Sequence, residues 1–147
     1  PVCYYGKTAY LGGIGERIDP GPMLPPTYLV IVNPGVLVST PAVFKAREGA
    51  YSEPVEKTYS LRTVENLACH LAARSNGLTA SAISIAPVIG RVLTALGSAE
   101  GCLIARMSGS GATCFGLFGT KIQAKRAASR IATKHPKWWI KAAKLLV

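Results

Sequence analysis

Acidic side chains are scarce in this chain: seven Asp and Glu stand against seventeen Lys and Arg in 147 residues, a formal net charge of +10. An excess of that size invites a reading as a nucleic-acid binder. Histidine is scarcer still. His70 and His135 have no ligand spacing between them, and the four cysteines (Cys3, Cys69, Cys102, Cys114) never form a C-x-x-C pair, which argues against a zinc site. The cysteines read as reduced, mostly buried thiols of a cytoplasmic protein, and none is assigned a catalytic part. No apolar run approaches the roughly 18 residues that span a bilayer, and no basic n-region leads into an apolar h-region. These absences predict a soluble, unsecreted chain. Internal repeats and low-complexity tracts are also missing. With 49% hydrophobic and only 16% charged residues, the composition is that of one globular domain able to bury a core.

What the chain does have is a glycine-serine loop, Met107-Ser108-Gly109-Ser110-Gly111-Ala112-Thr113. Two short apolar runs flank it, Cys102 to Arg106 and Cys114 to Phe118, and both read as buried strands. Glycines on either side of a serine permit positive φ and can turn successive N–H groups toward one anion. The same tripeptide also serves as an ordinary tight hairpin turn.

Tyr28 to Val32 is a continuous apolar run that predicts a central strand, stopped by Asn33-Pro34-Gly35. Val36 to Val38 reads as a further short extended piece. Ser39-Thr40-Pro41 then opens a helical turn through Phe44 and Lys45, with Ser or Thr as N-cap and Pro in the first turn. Residues 46–58 read as a surface loop, Ser60 to Asn76 as a helix with its stop, and Thr79 to Leu96 as a second helix broken at Pro87. A basic helix covers Lys121 to Lys134, with Lys121, Lys125, Arg126 and Arg130 set opposite Ile122, Ala127, Ala128 and Ile131. It reads either as a solvated helix face or as a nucleic-acid contact. A closing strand follows from Trp138. Upstream, residues 2–5 and 8–11 resemble a hairpin, and Gly12 to Arg17 a glycine-rich bend. The prolines between Asp19 and Thr27 form a connector. The order β-α-α-β-β-α-β predicts an α+β, ferredoxin-like two-layer sandwich over residues 28–147, with helices covering one face; residues 1–27 precede it as a separate piece plus connector. The start at Pro1, running straight into an apolar stretch, predicts part of a longer protein.

Several segments together resemble one enzyme family: Pro1-Val2-Cys3, Gly13-Ile14-Gly15-Glu16, the stretch from Val32-Asn33-Pro34-Gly35 through Ser39-Thr40-Pro41 to Phe44, and Arg106 through the glycine loop to Phe115. The chain is similar to the C-terminal half of the 4-diphosphocytidyl-2-C-methyl-D-erythritol kinases, a family of the GHMP kinase superfamily. The resemblance implies a kinase that uses ATP and Mg2+ to phosphorylate the 2-hydroxyl of a cytidine-diphosphate-linked methylerythritol. It implies that Thr40, with Pro41 beside it, lies near the substrate diphosphate, that Phe44 stacks on cytosine, and that Ile14 packs beside the base. Ser108, Gly109, Ser110, Gly111 and Ala112 are implied to face the reacting phosphates. From the residues alone, Phe44 and Ile14 could equally be core, and Thr40 only a cap. The family's ATP-phosphate loop, its orienting lysine and its basic aspartate match nothing in the chain, so no catalytic residue is assigned here and a missing N-terminal domain is implied as partner. The resemblance leaves nucleic acid as the alternative partner. Where the family carries Asn-Asp, this chain has Asn76-Gly77, which puts the loop's hydrogen bonding in question.

Overall fold

The computed structural model describes residues 6–13, 15–50, 57–58 and 60–146. The strand expected at residues 2–5, Cys3 and Ile14 lie outside the described residues. The described strands are β1 (Ala9–Gly12), β2 (Arg17–Pro20), β3 (Tyr28–Asn33), β4 (Cys102–Met107), β5 (Cys114–Phe118) and β6 (Trp139–Lys144). The helices, in chain order, are α1 (Thr40–Lys45), α2 (Val64–Ala72), α3 (Thr79–Ile85), α4 (Val88–Gly97) and α5 (Lys121–Lys134). β1 pairs with β2 around the glycine bend, so the second arm of this hairpin is β2.

The other four strands form one antiparallel sheet in the order β4-β5-β3-β6. Each helical connection joins two parallel strands, β3 to β4 and β5 to β6, and in each case a third strand is inserted between them. This is the ferredoxin-like arrangement the element order predicts. Strand alternation divides the apolar residues between the two faces of the sheet. Val30 and Val32 of β3, Cys114 and Phe118 of β5, and Met107 of β4 face α4 and α5 and form the main core. α4 contributes Ile89, Val92 and Leu96, each fully buried, and α5 contributes Ala124, Ala127 and Ile131.

The helices do not all cover one face. α2 lies on the opposite side, where Leu67 and Ala68 pack with Leu61 against Leu117, Leu29 and Ile104. Apolar periodicity fixes which side of a helix is buried but not which face of the sheet receives it. Three local expectations also shift. α2 starts at Val64 because the Thr63 hydroxyl accepts from the Asn66 N–H at 3.1 Å. Val36 to Val38 forms no strand. In α5, Ala124 takes the buried position expected of Ile122, which is 65% exposed. Cys69 is exposed as well, against the expectation for the thiols, whereas Cys114 is buried and Cys102 half-buried.

Candidate functional site

α1 has six residues, too few to hold a helix by hydrogen bonding alone. Val43 anchors it, fully buried in the main core, a burial worth about 1.5–3 kcal/mol. From α3, the Ser81 hydroxyl donates to the Ala46 carbonyl at 3.0 Å, closing the C-terminal end of α1. Ser39 is the N-cap: its backbone is extended and its Oγ accepts from the Ala42 N–H at 3.4 Å. Thr40 is therefore not the cap. As the first helical residue its hydroxyl is released from capping, and it reaches Ser110 instead, Oγ1 to Oγ at 2.8 Å. Pro41 lies in the first turn, where its missing N–H removes no helical bond. Phe44, one residue past the buried anchor, is 53% exposed, so its ring is not part of the core.

The glycine loop joins β4 to β5. It closes on itself through Ser108 N–H to Thr113 O at 2.9 Å and Gly111 N–H to Ser108 O at 3.1 Å. Gly109 and Gly111 have φ of +56° and +91°, and the Gly111–Ala112 peptide is cis. A Cβ on Gly111 would stand 3.0 Å from Met107 Sδ and 3.1 Å from Ile89 Cδ1, while one on Gly109 would meet nothing within 4 Å. The loop thus has an inner and an outer side. Gly111 and Ala112 press on the core, Ala112 being 5% exposed, and Ser108 and Gly109 face solvent with Ser110 half-buried. The Gly109 and Ser110 N–H groups have no partner among the described residues and can donate to an anion.

Two asparagines that the sequence presents only as element stops hold this loop in place. Asn33, at the end of β3, donates from Nδ2 to Thr113 Oγ1 at 2.9 Å while its Oδ1 accepts the Gly35 N–H at 2.8 Å. Asn76, between α2 and α3, donates from Nδ2 to Met107 O at 3.1 Å and Gly109 O at 2.8 Å, and its Oδ1 accepts the Leu78 N–H at 3.0 Å. The loop is thereby tied at its start, its tip and its end by Asn76, Thr40 and Asn33. No residue-type signal distinguishes these asparagines from ordinary turn formers, because their partners lie far away in sequence. The loop's bonding does not depend on a carboxylate at position 77. A Cβ on Gly77 would instead stand 3.6 Å from the Arg47 Nε.

The remaining candidates sit elsewhere. Cys114, beneath the loop, has its thiol pushed up to about 11 by burial, and burial also raises Cys102 against weaker opposing hydrogen bonds from Ile104 and Leu117. Neither is a nucleophile at neutral pH. His70 is held below its ordinary value, first by burial and then by the Arg74 charge. It lines a cavity of about 790 Å³ between the β1–β2 hairpin and the second sheet face, together with Leu29, Leu71 and Leu117. Trp138 packs at the edge of the main core and Trp139 is 53% exposed. No group of three or more His, Cys, Asp or Glu able to hold a metal ion occurs among the described residues, and none of their helices is long and apolar enough to cross a membrane. The donor set of the loop suits phosphate oxygens, not a cation.

Residues 60–137 match the family model described as GHMP kinases C terminal. A 4-diphosphocytidyl-2-C-methyl-D-erythritol kinase of Paramagnetospirillum magneticum is 50% identical over 99% of this chain and 51% of its own length. One of the same name from Cereibacter sphaeroides is 47% identical, over 99% and 53% respectively. Among solved structures, a 4-(cytidine 5'-diphospho)-2C-methyl-D-erythritol kinase is 28% identical with a TM-score of 0.72, and the match covers 97% of this chain and 52% of that one. The chain spans about half the length of the curated relatives it matches. The matched segment takes in α2 through α5 and the glycine loop with its Asn76 tether, more than half of the residues; the chain belongs to the GHMP kinase C-terminal family.

Proposed function

We propose that this chain forms the substrate-side, C-terminal part of a kinase that transfers the γ-phosphate of ATP to the 2-hydroxyl of 4-diphosphocytidyl-2-C-methyl-D-erythritol, in the non-mevalonate route to isoprenoid precursors. One observation carries the reading: the Thr40 and Ser110 hydroxyls meet at 2.8 Å, so the threonine-proline corner and the glycine loop form a single edge. Phe44 stands exposed on the same short helix as Thr40. An aromatic face beside a hydroxyl and an N–H-lined loop is the donor set a cytidine diphosphate needs. Stacking is worth about 1–3 kcal/mol per base, and bonds to a phosphate oxygen are charge-assisted.

In this reading Phe44 stacks on the cytosine, Thr40 holds a diphosphate oxygen, and the Gly109 and Ser110 N–H groups meet the phosphate being transferred. ATP, when bound, supplies that phosphate, and Mg2+ accompanies it. Ile14, in the glycine bend, flanks the base. Residues 28–147 act as the domain and residues 1–27 as the tail of the preceding one plus connector, in keeping with their separate two-stranded and four-stranded sheets. The reaction belongs to the cytoplasm. Because no residue here matches the family's ATP loop, lysine or basic aspartate, a polypeptide limited to these 147 residues does not turn over.

The test is a chimera in which these residues replace the corresponding half of the Paramagnetospirillum relative. ADP release should depend on the cytidine-diphosphate substrate, and Phe44→Ala should raise its KM about tenfold, the equivalent of ~1.4 kcal/mol. A folded but inactive chimera, an unchanged KM, or turnover by the 147-residue chain alone would each count against the reading.

A further inference from the structure

The basic helix α5 has no part in the site built around the glycine loop. Its apolar side is spent on the core, and part of its charged side borders a groove of about 680 Å³ shared with α4. Arg91 from α4 and Arg130 and Lys134 from α5 line this groove, with Glu100 as the one carboxylate. Glu100 is committed to Arg130 at 3.0 Å. Arg91 and Lys134 have no hydrogen-bond or ion-pair partner among the described residues. The helices can flank open space here because the positions lining it are small: Gly90, Ala95 and Ala99 present almost no side chain. Ser98 adds a hydroxyl, and His135 closes one end with its ring stacked on Trp138, centroids 3.8 Å apart and planes 7° from parallel. The N-terminal end of α4, the positive pole of its dipole, opens on the same groove through Pro87 and Gly90.

We infer that the α4–α5 groove is a second binding site, for a small molecule carrying two or more linked phosphates. Three cations against one carboxylate leave an unneutralised positive excess inside a concavity of ligand size. Arginine suits phosphate through its forked donors and lysine through a point charge. This volume distinguishes the groove from the rest of the basic helix: Lys121 and Lys125 border a different and smaller depression beside β6. α4 also links the groove to the glycine loop, since Gly90 and Arg91 line the groove and the adjacent Ile89 supports Gly111 from below. The inference does not depend on the proposed kinase reaction, because none of the residues assigned to substrate lines the groove.

The experiment is calorimetric titration of the chain with sodium tripolyphosphate at fixed ionic strength. Saturable one-to-one binding is expected, weakened about tenfold by Arg91→Gln or by Lys134→Gln, the loss of one charge-assisted contact each. Lys125→Gln, on the same helix but outside the groove, should change affinity less than twofold. Glu100→Gln should tighten binding several-fold by releasing Arg130, a gain that a variant damaged in folding would not produce. Equal weakening by all three lysine and arginine variants would mean diffuse attraction and overturn the site. So would tighter binding of a single-stranded RNA oligonucleotide with Lys121→Gln and Lys125→Gln costing as much as the groove variants. Absence of saturable binding up to millimolar tripolyphosphate would overturn it too.

Discussion

Adding one methyl group at each of two neighbouring glycines separates backbone strain from packing in the loop. Gly109 and Gly111 both have positive φ, so alanine at either position is strained by about 1–2 kcal/mol. Only at Gly111 does the new Cβ also meet a wall, at 3.0 Å from Met107 Sδ and 3.1 Å from Ile89 Cδ1. The Met107 thioether can rotate aside. Ile89 is fully buried between α4 and the sheet and has little room to yield. Overpacking of this kind costs about 1–3 kcal/mol, so Gly111→Ala should lose about 2–5 kcal/mol in total and Gly109→Ala about 1–2. In urea, with m of ~2 kcal/mol/M, the unfolding midpoint should fall by roughly 1–2.5 M for Gly111→Ala and roughly 0.5–1 M for Gly109→Ala, at unchanged m. Ile89→Val removes the crowding carbon, and in a double-mutant cycle with Gly111→Ala it should recover part of the loss. Midpoints for the two alanine variants that agree to within about 0.25 M would refute the inner wall, and with it the division of the loop into a core side and a ligand side.

Other perturbations test the tethers and the thiols. Asn76→Ala removes both donors to the Met107 and Gly109 carbonyls and the acceptor for Leu78; it should cost about 1–3 kcal/mol and speed hydrogen exchange at the loop amides, with exchange in α5 unaffected. A thiol reagent at pH 8 should modify the exposed Cys69 while leaving Cys114 untouched. With its pKa raised to about 11, Cys114 stays protonated below that value and should gain reactivity only as pH climbs toward it or as the chain unfolds; labelling mass spectrometry across pH 7–10 reads both.

The main strands and the loop are legible in the sequence for a clear reason. Tyr28 to Asn33 and Cys114 to Phe118 occupy the middle of the sheet, so residues pointing to either face are apolar and the runs are nearly continuous. Elements at the margins are harder to place. Ser39 and Thr40 are both competent caps, and the choice between them is made by Ser110, 70 residues downstream of Thr40. Ile122 is apolar, yet at about 100° per residue it points away from the buried stripe of Ala124, Ala127 and Ile131, and it is 65% exposed. The placement of α2 on the second face depends on Ile104 and Leu117 being available there, a condition set by the strand pairing. Asn33 and Asn76 read as turn residues because half of what they do is local: each bonds a backbone N–H two positions on, and the other half of each amide crosses to the loop.

Neighbouring positions on α1 have opposite surroundings, Val43 in the interior and Phe44 in the open. Successive helical residues differ by about 100° in direction, so losing a single residue inside the helix before Val43, at Pro41 or Ala42, would rotate the aromatic ring inward and push the aliphatic anchor out. Length variation is therefore barred from the first turn of α1. A count of insertions and deletions among related chains should fall sharply between Ser39 and Val43.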